Sequence, residues 1–173
     1  RNLHRTDTSD HRPWDEKSKI ETGIIDEMGK AVPNSFEYNI CKWMICGNDY
    51  SKLNYLKKAL ETGGDRYEIF SEMVNWGEIE RNIVKRNEYA AKWFNSEMAS
   101  PGFLNYNYNV AIGLKANAII VTAGDNDTYP LWQLQSQGIR TDVTVLNLSL
   151  LGIDDYRNKI FKELKIPQWD TSV

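Results

Sequence analysis

The sequence predicts an α/β protein: helical hairpins followed by a small parallel βαβ unit. Two observations carry this. Between Pro33 and Ala99 apolar residues recur at helical spacing, broken by short polar turns. Beyond Gly102 the pattern changes to two β-rich runs, Ala118–Thr122 and Val143–Leu148, separated by a short helical stretch. A third observation marks the junction: the acidic turn Gly124-Asp125-Asn126-Asp127-Thr128-Tyr129-Pro130 follows the first run directly.

Residues 1–32 read as a polar, partly disordered arm in which Ile20, Ile24, Ile25 and Met28 form one short helix. His4, Asp7, Asp10 and His11 are metal-ligand types, but without regular spacing they read as solvated polar residues. Residues 33–102 form the hairpin region. Phe36, Ile40, Trp43 and Met44 share one face, and Asn34 with Glu37 resembles a capping box. Gly47-Asn48-Asp49 stops this helix, and Ser51 caps the next, whose stripe is Leu53, Leu56 and Leu60. Gly63-Gly64 ends that one and Asp65 starts a third. Ile69, Met73 and Trp76 form one of its faces, Phe70, Val74 and Gly77 another. Asn82-Ile83 opens a fourth with Ile83, Ala90, Phe94 and Met98, ended by Ser100-Pro101-Gly102. The landmarks repeat, and Tyr55–Glu61 is close to the second-helix pattern of tetratricopeptide repeats.

Residues 103–173 form the α/β unit. A helix begins near Asn105 and runs to Leu114, and the strand Ala118–Thr122 follows. The next helix spans about Pro130 to Gln137 and is closed by Gly138. After the second strand, Asp154 or Asp155 caps a last helix with Tyr156, Ile160, Phe161 and Leu164. Strand, helix, strand, helix implies a Rossmann-like parallel crossover. Two parallel strands leave a sheet with unprotected edges, so earlier segments, a longer chain or an oligomer is expected to complete it.

In open α/β folds ligands bind at the carboxyl ends of strands. Asp125, Asn126, Asp127 and Thr128 in the acidic turn, with Asn147 and Ser149 from the adjoining strand, are therefore the candidate ligand-binding residues. Their oxygens suit sugar hydroxyls or a hard divalent cation. The structural alternative is that Asp127 or Thr128 caps the following helix, with Pro130 in its first turn. No cofactor is expected, and capping is preferred to a cation.

Composition narrows the classes further. The chain has 173 residues, 41% of them hydrophobic, and a formal charge of -3. That balance lacks the basic footprint of a nucleic-acid or anionic-membrane binder. No apolar run approaches the roughly 18–20 residues that cross a bilayer, so membrane association is expected only through segments not in this sequence. It opens on Arg1-Asn2-Leu3-His4, and a processed or trimmed form is expected. Cys41 and Cys46 point in different directions on one helix and read as small core residues, not as a disulfide. Both histidines lie in the first eleven residues, and there is no serine elbow or Cys–His pairing, so a complete catalytic set is missing.

The segment Gly124–Gln135, with Gly138–Val143 and Val145–Leu151, resembles the soluble carboxy-terminal region of a bacterial membrane-protein family related to protein O-mannosyltransferases. The resemblance covers about Tyr106 to Ile166. It implies an extracytoplasmic setting, periplasmic or cell-envelope, and an accessory role in glycan or envelope biology with a protein or glycan partner. The family's catalytic acid and donor site belong to a membrane core that has no counterpart here, so no catalytic residue carries over. The expected function is a noncatalytic interaction protein. The alternative is a carbohydrate-active enzyme or fragment, glycosyltransferase-related, using Asp125 and Asp127.

Overall fold

The computed structural model describes residues 11–47, 49–96 and 98–167. The fold is mostly helical, 69%, with nine helices and a small two-stranded parallel sheet among the described residues. The chain divides into two compact units, residues 1–65 and 66–173. The expected hairpin region is thus shared between them, one hairpin in each.

The first unit holds α1 (Trp14–Ala31), α2 (Phe36–Ile45) and α3 (Leu53–Gly63). α1 is an 18-residue helix, much longer than the short one expected, and Ile25 is its buried residue. His4, Asp7 and Asp10 lie outside the described residues. Ser35, not Asn34, caps α2: its Oγ accepts the Tyr38 N–H at 3.1 Å. Phe36, Ile40 and Trp43 are buried as expected, but Met44 faces solvent. Ser51 does not cap α3. Asp49 instead accepts the Ser51 N–H and hydroxyl, holding the one-turn 3-10 segment Tyr50–Lys52 that leads in. Gly63 lies so near the Phe36 ring that a Cβ there would meet it at 2.0 Å, which is why α3 ends in a residue without a side chain. Cys41 and Cys46 are free thiols and only half-buried, so neither is the core residue expected.

The second unit begins with a 3-10 turn, Tyr67–Ile69, and α4 (Phe70–Ile79), starting slightly later than Asp65. Both predicted faces of α4 are buried, including Met73, Val74 and Gly77. A helix buried nearly all round belongs to a core interior. α5 (Ile83–Asn95) begins at Asn82-Ile83 as expected, and Asn82 caps it through the Lys85 N–H at 3.0 Å. A Cβ on Gly77 would lie 2.6 Å from the Arg86 backbone nitrogen, so glycine permits this close pairing. Met98 lies beyond α5 and is exposed, not part of its stripe.

α6 (Pro101–Gly113) starts at its proline, earlier than the Asn105 expected. β1 (Ile119–Thr122) and β2 (Thr144–Asn147) pair in parallel, with Ile119 opposite Thr144 and Thr122 opposite Asn147. Between them α7 (Asp125–Ser136) packs against α5 and α6. Its end is closed by Gly138 at φ 83, where the Gly138 and Ile139 N–H groups return to Gln135 and Leu134. α8 (Leu148–Leu151) and α9 (Asp154–Glu163) follow. Ile153, not Asp154 or Asp155, occupies the N-cap of α9, and those acids lie in its first turn, where they complement the helix dipole.

Glu78 is fully buried in α4 and gathers the second unit around it. It accepts from Arg81, from Arg86 Nη1 at 2.9 Å and from the Tyr156 hydroxyl at 2.7 Å. Arg86 reaches on to Gln135 Oε1 at 3.3 Å, and Arg81 forks onto Glu163. Elements α4, α5, α7 and α9 are thereby joined by charge-assisted bonds. Burial, then the neighbouring Glu78 charge, pushes the Tyr156 phenol well above its ordinary range.

Candidate functional site

β1 ends at Thr122, and Ala123-Gly124 turns the chain into α7. The helix starts at Asp125 with Gly124 at the N-cap and no side-chain capping bond. The expected cap by Asp127 or Thr128 is therefore corrected: both are already helical, and Pro130 is the sixth helical residue, not part of the first turn. A proline there has no N–H for the carbonyl four residues back. That carbonyl, Asn126 C=O, instead accepts from Asn107 Nδ2 of α6 at 3.1 Å. Asn107 is buried and also donates to Phe103 C=O at 3.0 Å.

The six candidate residues separate into two groups. Thr128 and Asn147 are buried and bonded to each other, Asn147 Nδ2 donating to Thr128 Oγ1 at 3.0 Å. Thr128 Oγ1 lies 2.6 Å from Thr122 Oγ1 and 2.7 Å from Gly124 C=O. Thr122 Oγ1 also approaches Leu146 C=O at 3.0 Å. Two hydroxyl protons serve these three contacts, so any arrangement leaves one unmade. Asn147 Oδ1 meanwhile accepts the N–H groups of Ser149 and Leu150 and caps α8. The cluster pins the ends of both strands to the first turns of α7 and α8.

Asp125, Asn126, Asp127 and Ser149 are exposed. The two carboxylates sit in the first turn of α7, where negative charge is favoured. Among the described residues, no group of three or more His, Cys, Asp and Glu side chains is arranged to hold a metal. An open groove of about 570 Å³ lies in the first unit, lined by Lys42, Ile45, Cys46, Lys52, Asn54 and Tyr55, and contains none of the candidate residues.

At the opposite end of the strands Arg140, itself at φ 50, donates to three carbonyls at the end of α6. They are Ala111 at 2.5 Å, Leu114 at 2.9 Å and Lys115 at 2.9 Å. Asp142 holds Arg140 in place and accepts the Asn117 N–H at 2.9 Å. These bonds, that from Arg140 foremost, hold the Asp142 carboxyl well below the usual carboxylate range.

Sequence reasoning did not single out Thr122 or Asn107. Pro130 within a helical pattern was the available signal for Asn107, because it announces a carbonyl in need of a donor.

Residues 104–165 match the family model TMEM260-associated domain 2, a family linked to TMEM260, a protein O-mannosyltransferase-like membrane protein. The match takes in α6 from Leu104, both strands, the acidic turn, α7, α8 and α9. No curated protein and no solved structure matches the chain.

Proposed function

We propose that this chain is a noncatalytic extracytoplasmic interaction or accessory protein acting in glycan or envelope biology. One observation carries the reading. Thr128 and Asn147, the candidate residues that reach the strand ends, are buried and bonded within the fold. The polar motif therefore acts first as a joint. The match to a family linked with a protein O-mannosyltransferase-like membrane protein supports the glycan context. In this reading the hairpins α2–α3 and α4–α5 are tetratricopeptide-like, and each presents a surface of its own to a protein or glycan partner. The βαβ unit is Rossmann-like, the relatives are bacterial, and the location is periplasm or cell envelope.

A second reading rests on the exposure of Asp125 and Asp127. Exposed carboxylates at a strand's carboxyl end suit a carbohydrate-active enzyme. Incubating the purified chain with model glycosides, with and without magnesium or calcium, separates the two. The interaction reading predicts no turnover above buffer. Turnover abolished by Asp125→Asn or Asp127→Asn establishes the enzyme instead.

A further inference from the structure

The outer edge of β1 points beyond the proposed function. Among the described residues, β1 pairs with β2 alone. The Thr144 N–H donates to Ala118 C=O at 2.9 Å, so by the alternation of a parallel ladder the N–H and C=O groups of Ile119 and Val121 face away from β2. Among the described residues, these groups make no backbone bond. The side chains of the same two residues are 51% and 55% exposed. The strand thus presents unpaired backbone and a bare apolar face together, with no charge or proline to protect it.

We propose that β1 pairs antiparallel with β1 of a second copy of this chain, continuing the sheet across a two-fold axis midway between the two copies of Ile120. The argument for a second copy is self-complementarity. Placing Ile120 opposite its equivalent sets Ile119 opposite Val121 of the partner copy, and Val121 opposite its Ile119. Residues opposite each other in such a hydrogen-bonded position exchange both N–H···O bonds. Every unpaired group of the two residues is then matched by those same two residues in the other copy. Neighbouring registers leave part of the set to residues outside the strand. The exposed side chains become cross-strand apolar pairs. The flanks agree in charge: this register brings the Lys115 end of each strand beside the Asp125 end of the other. A two-fold contact of this kind is closed, so it forms a dimer and not a filament.

Sedimentation velocity of the full chain over a concentration series tests this. A monomer–dimer equilibrium is expected. Val121→Lys, at an exposed position, should shift the chain to monomer while leaving its far-UV circular dichroism unchanged. Lys115→Glu should weaken the dimer several-fold, and adding Asp125→Lys in the same chain should restore it. With Cys41 and Cys46 replaced by serine, Ile119→Cys and Val121→Cys proteins should form a disulfide when mixed, but not when either is oxidised alone. A chain that stays monomeric at its highest soluble concentration overturns the proposal. So does a dimer that Val121→Lys leaves intact, or crosslinking by each cysteine protein alone and not by the mixture.

Discussion

Asn107 supplies the hydrogen bond that Pro130 cannot make. Its Nδ2 reaches Asn126 C=O at 3.1 Å, the carbonyl that the N–H of residue 130 would serve in an unbroken helix. The arrangement ties α6 to α7 and explains how a proline sits well inside a helix.

This pairing predicts coupling. Asn107→Leu should destabilise the chain by about 1–3 kcal/mol, because it removes the donors to two carbonyls. Pro130→Ala restores a backbone N–H to serve Asn126, so Asn107→Leu should cost less in that background. A double-mutant cycle by urea unfolding measures the difference. Strictly additive costs contradict the relationship.

Glu78 should be far more sensitive than its outer partner. Glu78→Ala leaves Arg86 buried without its carboxylate, and removing one member of a buried ion pair costs about 3–5 kcal/mol. Glu163 is half exposed at the rim of the same network, and Glu163→Ala should cost under about 1 kcal/mol. Equal losses in chemical denaturation would mean that Glu78 does not organise the second unit.

Asp142 ties stability to acid pH. Its carboxyl is lowered in the folded chain, first by Arg140 and then by the Asn117 N–H. The ionised form is therefore favoured by folding. The stabilisation is fully present above the unfolded carboxylate value of about 3.9 and is lost as pH falls through the lower folded value. In an NMR titration the Asp142 carboxyl should remain ionised well below the usual carboxylate range. Asp142→Asn should flatten the fall in stability below about pH 4. An ordinary titration midpoint for Asp142 contradicts the Arg140 clamp.

Periodicity made the hairpins, both strands and their separation by a helix legible, because these depend on local spacing. The helix start at Asn82-Ile83 and the Gly138 stop were legible for the same reason. The cap of α2 slipped by one residue because Asn34 and Ser35 are both competent caps and only the folded backbone chooses. The start of α7 was misplaced because a proline suggests a first turn, whereas its tolerance here comes from Asn107 on another helix. The Glu78 network was invisible since its partners come from separate elements. At the candidate site the residue types were evident, but not their division into buried Thr128 and Asn147 and exposed Asp125, Asn126, Asp127 and Ser149. That division depends on Thr122, which the pattern showed only as the end of an apolar run.

The central claim is that the polar motif after β1 is a structural joint. Urea unfolding of Thr128→Val beside Asp125→Asn/Asp127→Asn, each with chelator and with excess calcium, tests it most directly. Thr128→Val leaves Asn147 Nδ2 and Thr122 without their shared partner and should cost about 1–3 kcal/mol in either condition. The double Asp variant should remain within about 1 kcal/mol of the parent, and calcium should not separate the two. A harmless Thr128→Val, with calcium stabilising only the chain that keeps both aspartates, contradicts the account and makes the turn a cation site.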